Sequence, residues 1–290
     1  MLIGAHVGVS GGYPQAVDYA VSVGCECMQV FAKSPRQWNA RPLDPEVASA
    51  FRRRCAEVGM GPVVVHTAYL INLGSVDDAL WERSWRALAD ELARAETLGA
   101  ALVVTHLGTQ FRADPGGTHT RIAAGVAAAL RLAGPSDVRL LLENTAGAGT
   151  TYGSGPEELG AVLSGLGDDR ERVGVCLDTC HAHAAGYDLS DRQVWRDLVY
   201  SFERCCDMPI EAVHANDCAF PPGEHKDRHA WIGDGTIGKD GFAAMFDALA
   251  GTGVPVILEM PGEVPVKDEE NLRRLRELRA ASAAHASRAV

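Results

Sequence analysis

Eight short apolar runs punctuate this chain: Leu2 to His6, Cys27 to Phe31, Pro62 to His66, Ala101 to His106, Val138 to Glu143, Val173 to Asp178, Ile210 to His214 and Val254 to Glu259. Each is followed by a longer stretch with helical spacing, the alternation expected of strand and helix in turn. Near-continuous hydrophobicity within the runs implies cover on both faces, as parallel strands have under helices. Eight such units in 290 residues predict an α/β fold, the closed TIM (β/α)8 barrel, as a single domain over residues 1–279. An open doubly wound sheet is the alternative, but it would not gather all eight strand ends into one mouth.

Punctuation between the runs supports the helices. Asp44-Pro45-Glu46 starts one that Gly59 stops, Trp81 and Trp85 share a face of another that ends at Gly99, and Gly155-Pro156-Glu157-Glu158 opens a third with acids placed well against the helix dipole. The two tryptophans read as helix packing, not as a base-stacking platform. The charged run Lys267 to Arg279 reads as a solvated helix face, and Ala280 to Val290, rich in Ala and Ser, is expected to fray. Gly233-Asp-Gly235-Thr-Ile-Gly238 matches a dinucleotide-binding pattern by letter, but it lies late in the chain and reads as a loop before a helix of Asp240 to Leu249.

What matters for function is how the runs end. The stretch Val173 to Asp178 delivers a carboxylate at its tip, and His181 and His183 follow, expected in the turn. Alone, an Asp and a His there could simply stitch a turn. Other runs, however, also close on residues of metal-ligand type: His66, His106, Glu143, His214 and Glu259. Neighbouring strands lie roughly 4.8 Å apart, so His66, His106 and Glu143 can converge on one cation and Glu143, Asp178, His214 and Glu259 on a second. Glu143 could bridge the two. His181 remains, and Asp227 and His229, two residues apart in an extended segment, point the same way and complete a plausible third set. Mixed His and carboxylate ligation suits Zn2+ better than magnesium or calcium, although Mn2+ or Fe could occupy some positions. So many ionisable groups at one rim would be costly without cations.

The formal net charge of −11 argues against a protein that coats nucleic acid indiscriminately, while leaving room for a local basic surface, because bound cations reverse the potential where they sit. The eight cysteines form no CxxC pair and several lie inside apolar runs, so a reducing compartment is expected and most are packing residues. With no basic or cleavable apolar opening and no run of membrane-spanning length, the expectation is a soluble, unexported, cytoplasmic protein, a monomer with no membrane partner.

His66-Thr-Ala-Tyr69-Leu70-Ile-Asn-Leu73, Glu143-Asn-Thr-Ala-Gly147, Asp178-Thr-Cys-His181-Ala-His-Ala-Ala-Gly-Tyr-Asp188, His214-Ala-Asn-Asp217 and Asp227-Arg-His229, taken together and in this order, resemble the endonuclease IV family of apurinic/apyrimidinic endonucleases. The likeness runs from Gly4-Ala-His6-Val7 to Leu258-Glu259. It implies a trinuclear zinc barrel in which His66, His106 and Glu143 hold one ion, Glu143, Asp178, His214 and Glu259 the second, and His181, Asp227 and His229 the third. It further implies cleavage of double-stranded DNA on the 5′ side of an abasic site, leaving a 3′ hydroxyl and a 5′ deoxyribose phosphate, and trimming of blocked 3′ ends. Two departures are visible: His106-Leu107-Gly108 where the family commonly has His-Pro-Gly, and Asp217-Cys-Ala-Phe220 where Ser or Lys often follows Asn-Asp. Neither removes a ligand.

Water held between two such cations is acidic enough to furnish hydroxide at neutral pH, so hydroxide is the expected nucleophile and Glu143 and Glu259 the catalytic carboxylates. DNA contacts are expected from the loops around the mouth. Phe31-Ala-Lys33-Ser-Pro-Arg36-Gln37-Trp38 mixes basic and aromatic residues after the second run, and Tyr69-Leu70 follow a ligand. Lys33, Arg36, Gln37, Tyr69, Leu70 and His6 are the expected contacts; the resemblance implies that Arg36, Tyr69 and Leu70 enter the duplex while the abasic nucleotide is turned out. The competing reading is a single-metal sugar isomerase or epimerase of the related barrel group, which would use Glu143, Asp178, His214 and Glu259 and leave the other five ligands idle. A lesion-binding protein that does not cut would show a broken ligand set.

Overall fold

The computed structural model describes residues 1–110 and 115–286. In chain order the strands are β1 (Leu2–His6), β2 (Cys27–Phe31), β3 (Val63–His66), β4 (Leu102–Thr105), β5 (Arg139–Glu143), β6 (Val173–Asp178), β7 (Ala212–His214), β8 (Asp217–Cys218), β9 (His229–Ala230) and β10 (Pro255–Leu258). Eight of them close a parallel barrel in the order β1-β10-β7-β6-β5-β4-β3-β2, as the alternating pattern predicts. The remaining pair, β8 and β9, is a short antiparallel ladder that the sequence reading did not foresee.

The helices are α1 (Tyr13–Ser22), α2 (Pro45–Val58), α3 (Asp78–Leu98), α4 (Pro115–Ala133), α5 (Pro156–Ser164), α6 (Thr179–Ala185), α7 (Arg192–Cys206), α8 (Gly238–Ala248) and α9 (Val266–Ala286). The expected punctuation acts as expected: the Asp44 carboxylate accepts from the Glu46 amide at the start of α2, and Gly59 and Gly99 end α2 and α3 in the left-handed conformation, at φ 67° and 71°. Trp81 and Trp85 pack edge to face, and the Trp81 indole donates to the Arg121 carbonyl on α4. Two expectations need correction. His181 and His183 lie in the short helix α6, not in a turn, and the last helix runs through Ala286 without ending at Arg279. Residues 287–290 of the tail expected to fray lie outside the described residues.

The core has two parts. Most buried apolar side chains fill the layer between barrel and helices, where Phe51, Trp195, Phe202, Phe242 and Phe246 are fully buried. Inside the barrel, Val64, Val104, Leu141, Cys176 and Ala212 form a separate plug, one side chain from each of β3 to β7. Side chains alternate along a strand, so residues two further on point the same way and sit above the plug. Those residues are His66, His106, Glu143, Asp178 and His214. All eight cysteines are unpaired, and no helix among the described residues is long and apolar enough to cross a membrane.

The Gly233 to Gly238 loop turns out to wrap one of the protein's own acids. Asp217 accepts amide protons from Gly233 at 2.8 Å, Gly235 at 3.1 Å and Ile237 at 3.0 Å, and a Cβ at Gly235 would fall 2.4 Å from Asp217 Oδ1. An internal carboxylate takes the place that a phosphate would have in a nucleotide loop.

Candidate metal centre

The register of the strands brings the candidate ligands together. Asp178 on β6 pairs with His214 on β7, Glu143 on β5 lies beside Cys176, and His66 on β3 beside Phe31. Glu143 is the hub. One of its oxygens lies 3.3 Å from His66 Nε2 and 3.5 Å from His106 Nε2, and the other 2.9 Å from His214 Nδ1 and 3.4 Å from His181 Nδ1. The ligand atoms of His66, His106 and Glu143 fall within 4.8 Å of one another, as do those of Glu143, Asp178, His214 and Glu259. These two sets are the ones expected from the strand ends, sharing Glu143.

The remaining three also meet. Asp227 puts one oxygen 3.3 Å from His181 Nε2 and the other 3.2 Å from His229 Nε2. Mutual proximity within 4.8 Å groups these atoms somewhat differently, as Asp178, His181 and His229 and as Cys180, Asp227 and His229. Asp227 is the open side of the cluster, its side chain 50% exposed.

The imidazoles are held in one orientation by the backbone. Nδ1 of His66, His181 and His229 donates to the carbonyls of Thr67, Asn144 and Glu259 at 2.8, 2.9 and 2.8 Å, so that each Nε2 is aimed into the cluster. His214 is reversed: Nε2 donates to Gln29 Oε1 at 2.9 Å, so Nδ1 faces the carboxylates. The same Gln29 amide donates to Glu259 Oε1 at 2.8 Å, and Asn216 donates to Asp178 Oδ2 at 2.7 Å. Asn144 caps the Asp178 backbone at both ends, from its amide N–H and to its carbonyl.

Sequence reading missed Gln29, Asn144 and Asn216. The signal was present for Gln29, a fully buried polar residue on the inward-facing parity of an otherwise apolar strand. His183, by contrast, is structural: its ring accepts from the Leu189 amide and pairs with the Thr236 hydroxyl.

Charge balance in the cluster keeps Glu143 and Glu259 anionic, whereas burial pushes the Asp178 carboxyl up. Burial pushes Glu143 and Glu259 up, but the surrounding imidazoles outweigh it and hold both well below the usual carboxylate range. Burial would lower His229, yet Asp227 and Asp178 push it up to about 9. His229 Nε2, although near Asp227, is out of line for a hydrogen bond and is buried with no hydrogen-bond partner. An orphaned imidazole nitrogen facing carboxylates is what a cation would satisfy, and the nitrogen and oxygen donors suit a divalent ion.

Two expected DNA contacts are corrected. Lys33 is buried, its ammonium 2.8 Å from Asp90 and 3.6 Å from Glu91 beneath the loop. His6 packs on Phe31 at 4.3 Å and pairs through Nδ1 with Gln29, so it belongs to the surround of the cluster and does not face outward. Arg36, Gln37 and Tyr69 are exposed, and Leu70 is half-buried. A cavity of about 490 Å³ lies elsewhere, far from these ligands, among Arg192, Phe246 and Arg279. The one next to the cluster, about 540 Å³, is lined by Tyr69, Leu70, His106, Thr109, Thr145, His181 and Asp227.

The chain matches the family model of the xylose isomerase-like TIM barrel over residues 17–280. It is 40% identical over 279 residues to a probable endonuclease 4 from Methanoculleus marisnigri, covering 96% of this chain and 99% of that one. Among solved structures it resembles endonuclease IV from Thermus thermophilus, with a TM-score of 0.83 and 35% identity over 96% of this chain and 98% of the other. An L-ribulose 3-epimerase matches with a TM-score of 0.71 at 19% identity over 99% of this chain and 96% of that one, a likeness of fold alone. Strand order, ligand sets and relatives agree: the chain belongs to the endonuclease IV family of xylose isomerase-like TIM barrels.

Proposed function

We propose that this protein is a zinc-dependent deoxyribonuclease of base-excision repair that hydrolyses the phosphodiester 5′ to an abasic site, leaving a 3′ hydroxyl and a 5′ deoxyribose phosphate, and that also trims blocked 3′ ends. The observation that carries the reading is the meeting of nine side chains of metal-ligand type in one cluster, with Glu143 as its hub. A one-ion sugar epimerase would need Glu143, Asp178, His214 and Glu259 and would have no use for His66, His106, His181, Asp227 and His229. Relatives named as endonucleases support the same choice.

Three zinc ions per chain would be held by His66, His106 and Glu143, by Glu143, Asp178, His214 and Glu259, and by His181, Asp227 and His229. When bound, such ions supply Lewis acidity toward the oxygens of a phosphodiester and acidify water. Everything else falls to the chain itself. Gln29 fixes the orientation of His214 and Glu259, Asn216 that of Asp178, and the three backbone carbonyls fix the remaining rings, so the donor set is preorganised. Tyr69 and Leu70 stand beside the cluster, and Arg36 and Gln37 lie on the adjoining exposed loop, placed to enter a duplex that bends at the lesion. A nucleotide without its base leaves the stack more readily, which favours the lesion over intact DNA.

The test is a duplex carrying a single tetrahydrofuran lesion. Incision on its 5′ side, lost on chelation and regained with zinc, is expected. Binding without cutting, or indifference to the duplex with turnover of a ketose, would refute the proposal.

A further inference from the structure

The loops that carry Arg36 and Tyr69-Leu70 are joined to each other and to one face of α3. The Tyr69 amide donates to the Pro35 carbonyl at 3.1 Å, and the Phe31 and Tyr69 rings meet edge to face at 5.5 Å. Beneath them lies a charged network that the metal centre does not use. The Lys33 ammonium, its side chain 1% exposed, reaches Asp90 at 2.8 Å, the Trp38 carbonyl at 3.3 Å and Glu91 at 3.6 Å. Arg94 ties Asp90 to the carbonyls of Ala40 and Arg41 at 3.2 and 2.9 Å. Glu91, also 1% exposed, accepts from the Ala68 amide at 3.2 Å, immediately before Tyr69. About two helical turns toward the start of α3, Ser84 accepts from the Asn72 amide at 3.0 Å, at the far end of the same loop.

This arrangement is expensive for a mere packing role. Glu91 Oε2 is buried without a hydrogen-bond partner, and apolar residues of similar size commonly replace buried ion pairs without loss of stability. What the charges do provide is direction. From one helix, Asp90 and Glu91 hold the Lys33 ammonium, which in turn holds the Trp38 carbonyl, Glu91 holds the Ala68 amide, and the Ser84 hydroxyl holds the Asn72 amide.

Resting on the nuclease reading above, we infer that Glu91 and Ser84 are positioning residues that hold Arg36 and Tyr69-Leu70 as one preformed wedge for entry into a DNA duplex. The wedge then need not be ordered on binding, which is where preorganised loops gain affinity. Glu91 acts through the Ala68 amide and Lys33, its side chain 1% exposed beneath the loop.

The experiment is steady-state incision of the tetrahydrofuran duplex by Glu91→Leu, Glu91→Gln and Ser84→Ala, with zinc content measured on each. Glu91→Leu removes the acceptor for Ala68 and should raise KM about tenfold, while kcat and zinc content stay at wild-type values. Glu91→Gln keeps an acceptor oxygen and should recover most of that loss, and Ser84→Ala should raise KM about threefold. In a Tyr69→Ala background, Glu91→Leu should add less than about twofold, because its effect runs through that loop. Unchanged KM in Glu91→Leu, equal losses in kcat and zinc content, or full additivity with Tyr69→Ala would overturn the inference. Should Glu91→Leu fail to fold, an unchanged KM in Ser84→Ala overturns it alone. Failure of the wild-type protein to incise would instead strike the proposed function.

Discussion

Replacing Glu143 with Gln keeps the volume of a fully buried side chain and removes only its charge, so it isolates what the shared carboxylate does. Four imidazoles, from His66, His106, His181 and His214, lie within 3.5 Å of its oxygens. Two of the three proposed ion sets contain it, whereas the set of His181, Asp227 and His229 does not. Glu143→Gln is therefore expected to lower the zinc content from three ions per chain to about one. Losing two cations removes at least about 4 kcal/mol of transition-state stabilisation, so single-turnover incision should fall by about a thousandfold or more. The barrel plug of Val64, Val104, Leu141, Cys176 and Ala212 lies below the ligands and is untouched, so the far-ultraviolet circular dichroism should remain that of the folded barrel. Elemental analysis beside a quenched incision assay measures both quantities. A variant that keeps three ions and cuts at the wild-type rate would refute the role given to Glu143.

Gln29→Leu should preserve the fold but free the His214 ring and Glu259, weakening zinc binding by about 10- to 100-fold in competition with a chromophoric chelator. Because Asp227 and Asp178 push His229 up to about 9, its ring holds a second proton below that pH, and a cation must displace it. Zinc uptake at pH 7 should thus release protons, and apparent affinity should fall about tenfold per pH unit for each proton displaced as pH drops, which calorimetry in buffers of different ionisation enthalpy will read. Away from the site, Glu26 accepts from Arg279 and from the Ile3 amide, and the Arg279 hydrogen bond holds its carboxyl below the ordinary value despite partial burial. Its stabilisation is present above the unfolded carboxyl pKa and is lost as pH falls through the folded one. Glu26→Gln should cost about 1 kcal/mol in urea unfolding at pH 7, with the difference shrinking as pH falls below the ordinary carboxyl range.

The parts of the fold that were legible in the sequence are those set by local patterning. Apolar runs located all eight barrel strands, with β1, β2 and β6 matching the structure at both ends, and Asp44, Gly59 and Gly99 marked helix termini because their chemistry permits little else there. The candidate ligands stood out for a related reason: polar residues where an apolar strand emerges at the barrel mouth have few structural uses. What escaped depends on contacts distant in sequence. Gln29 has meaning only once β2 closes against the far side of the barrel, 185 residues from His214 and 230 from Glu259. Lys33 looked like a DNA contact because a loop lysine usually faces water, and only the packing of α3 beneath that loop shows its ammonium turned inward. The β8 and β9 ladder, two residues per strand, is too short to leave a periodicity. The helical continuation past Arg279 to Ala286 accords with the high helix propensity of alanine.

The central claim is that nine side chains from separate strand ends, the helix α6 and loops form one trinuclear cation centre. Diffraction from zinc-loaded crystals, with anomalous maps on both sides of the zinc absorption edge, tests it without reference to activity. Three peaks are predicted: one bounded by His66, His106 and Glu143, one by Glu143, Asp178, His214 and Glu259, and one by His181, Asp227 and His229. A single peak confined to Glu143, Asp178, His214 and Glu259, with His66, His106, His181, Asp227 and His229 free of any ion, would contradict the account.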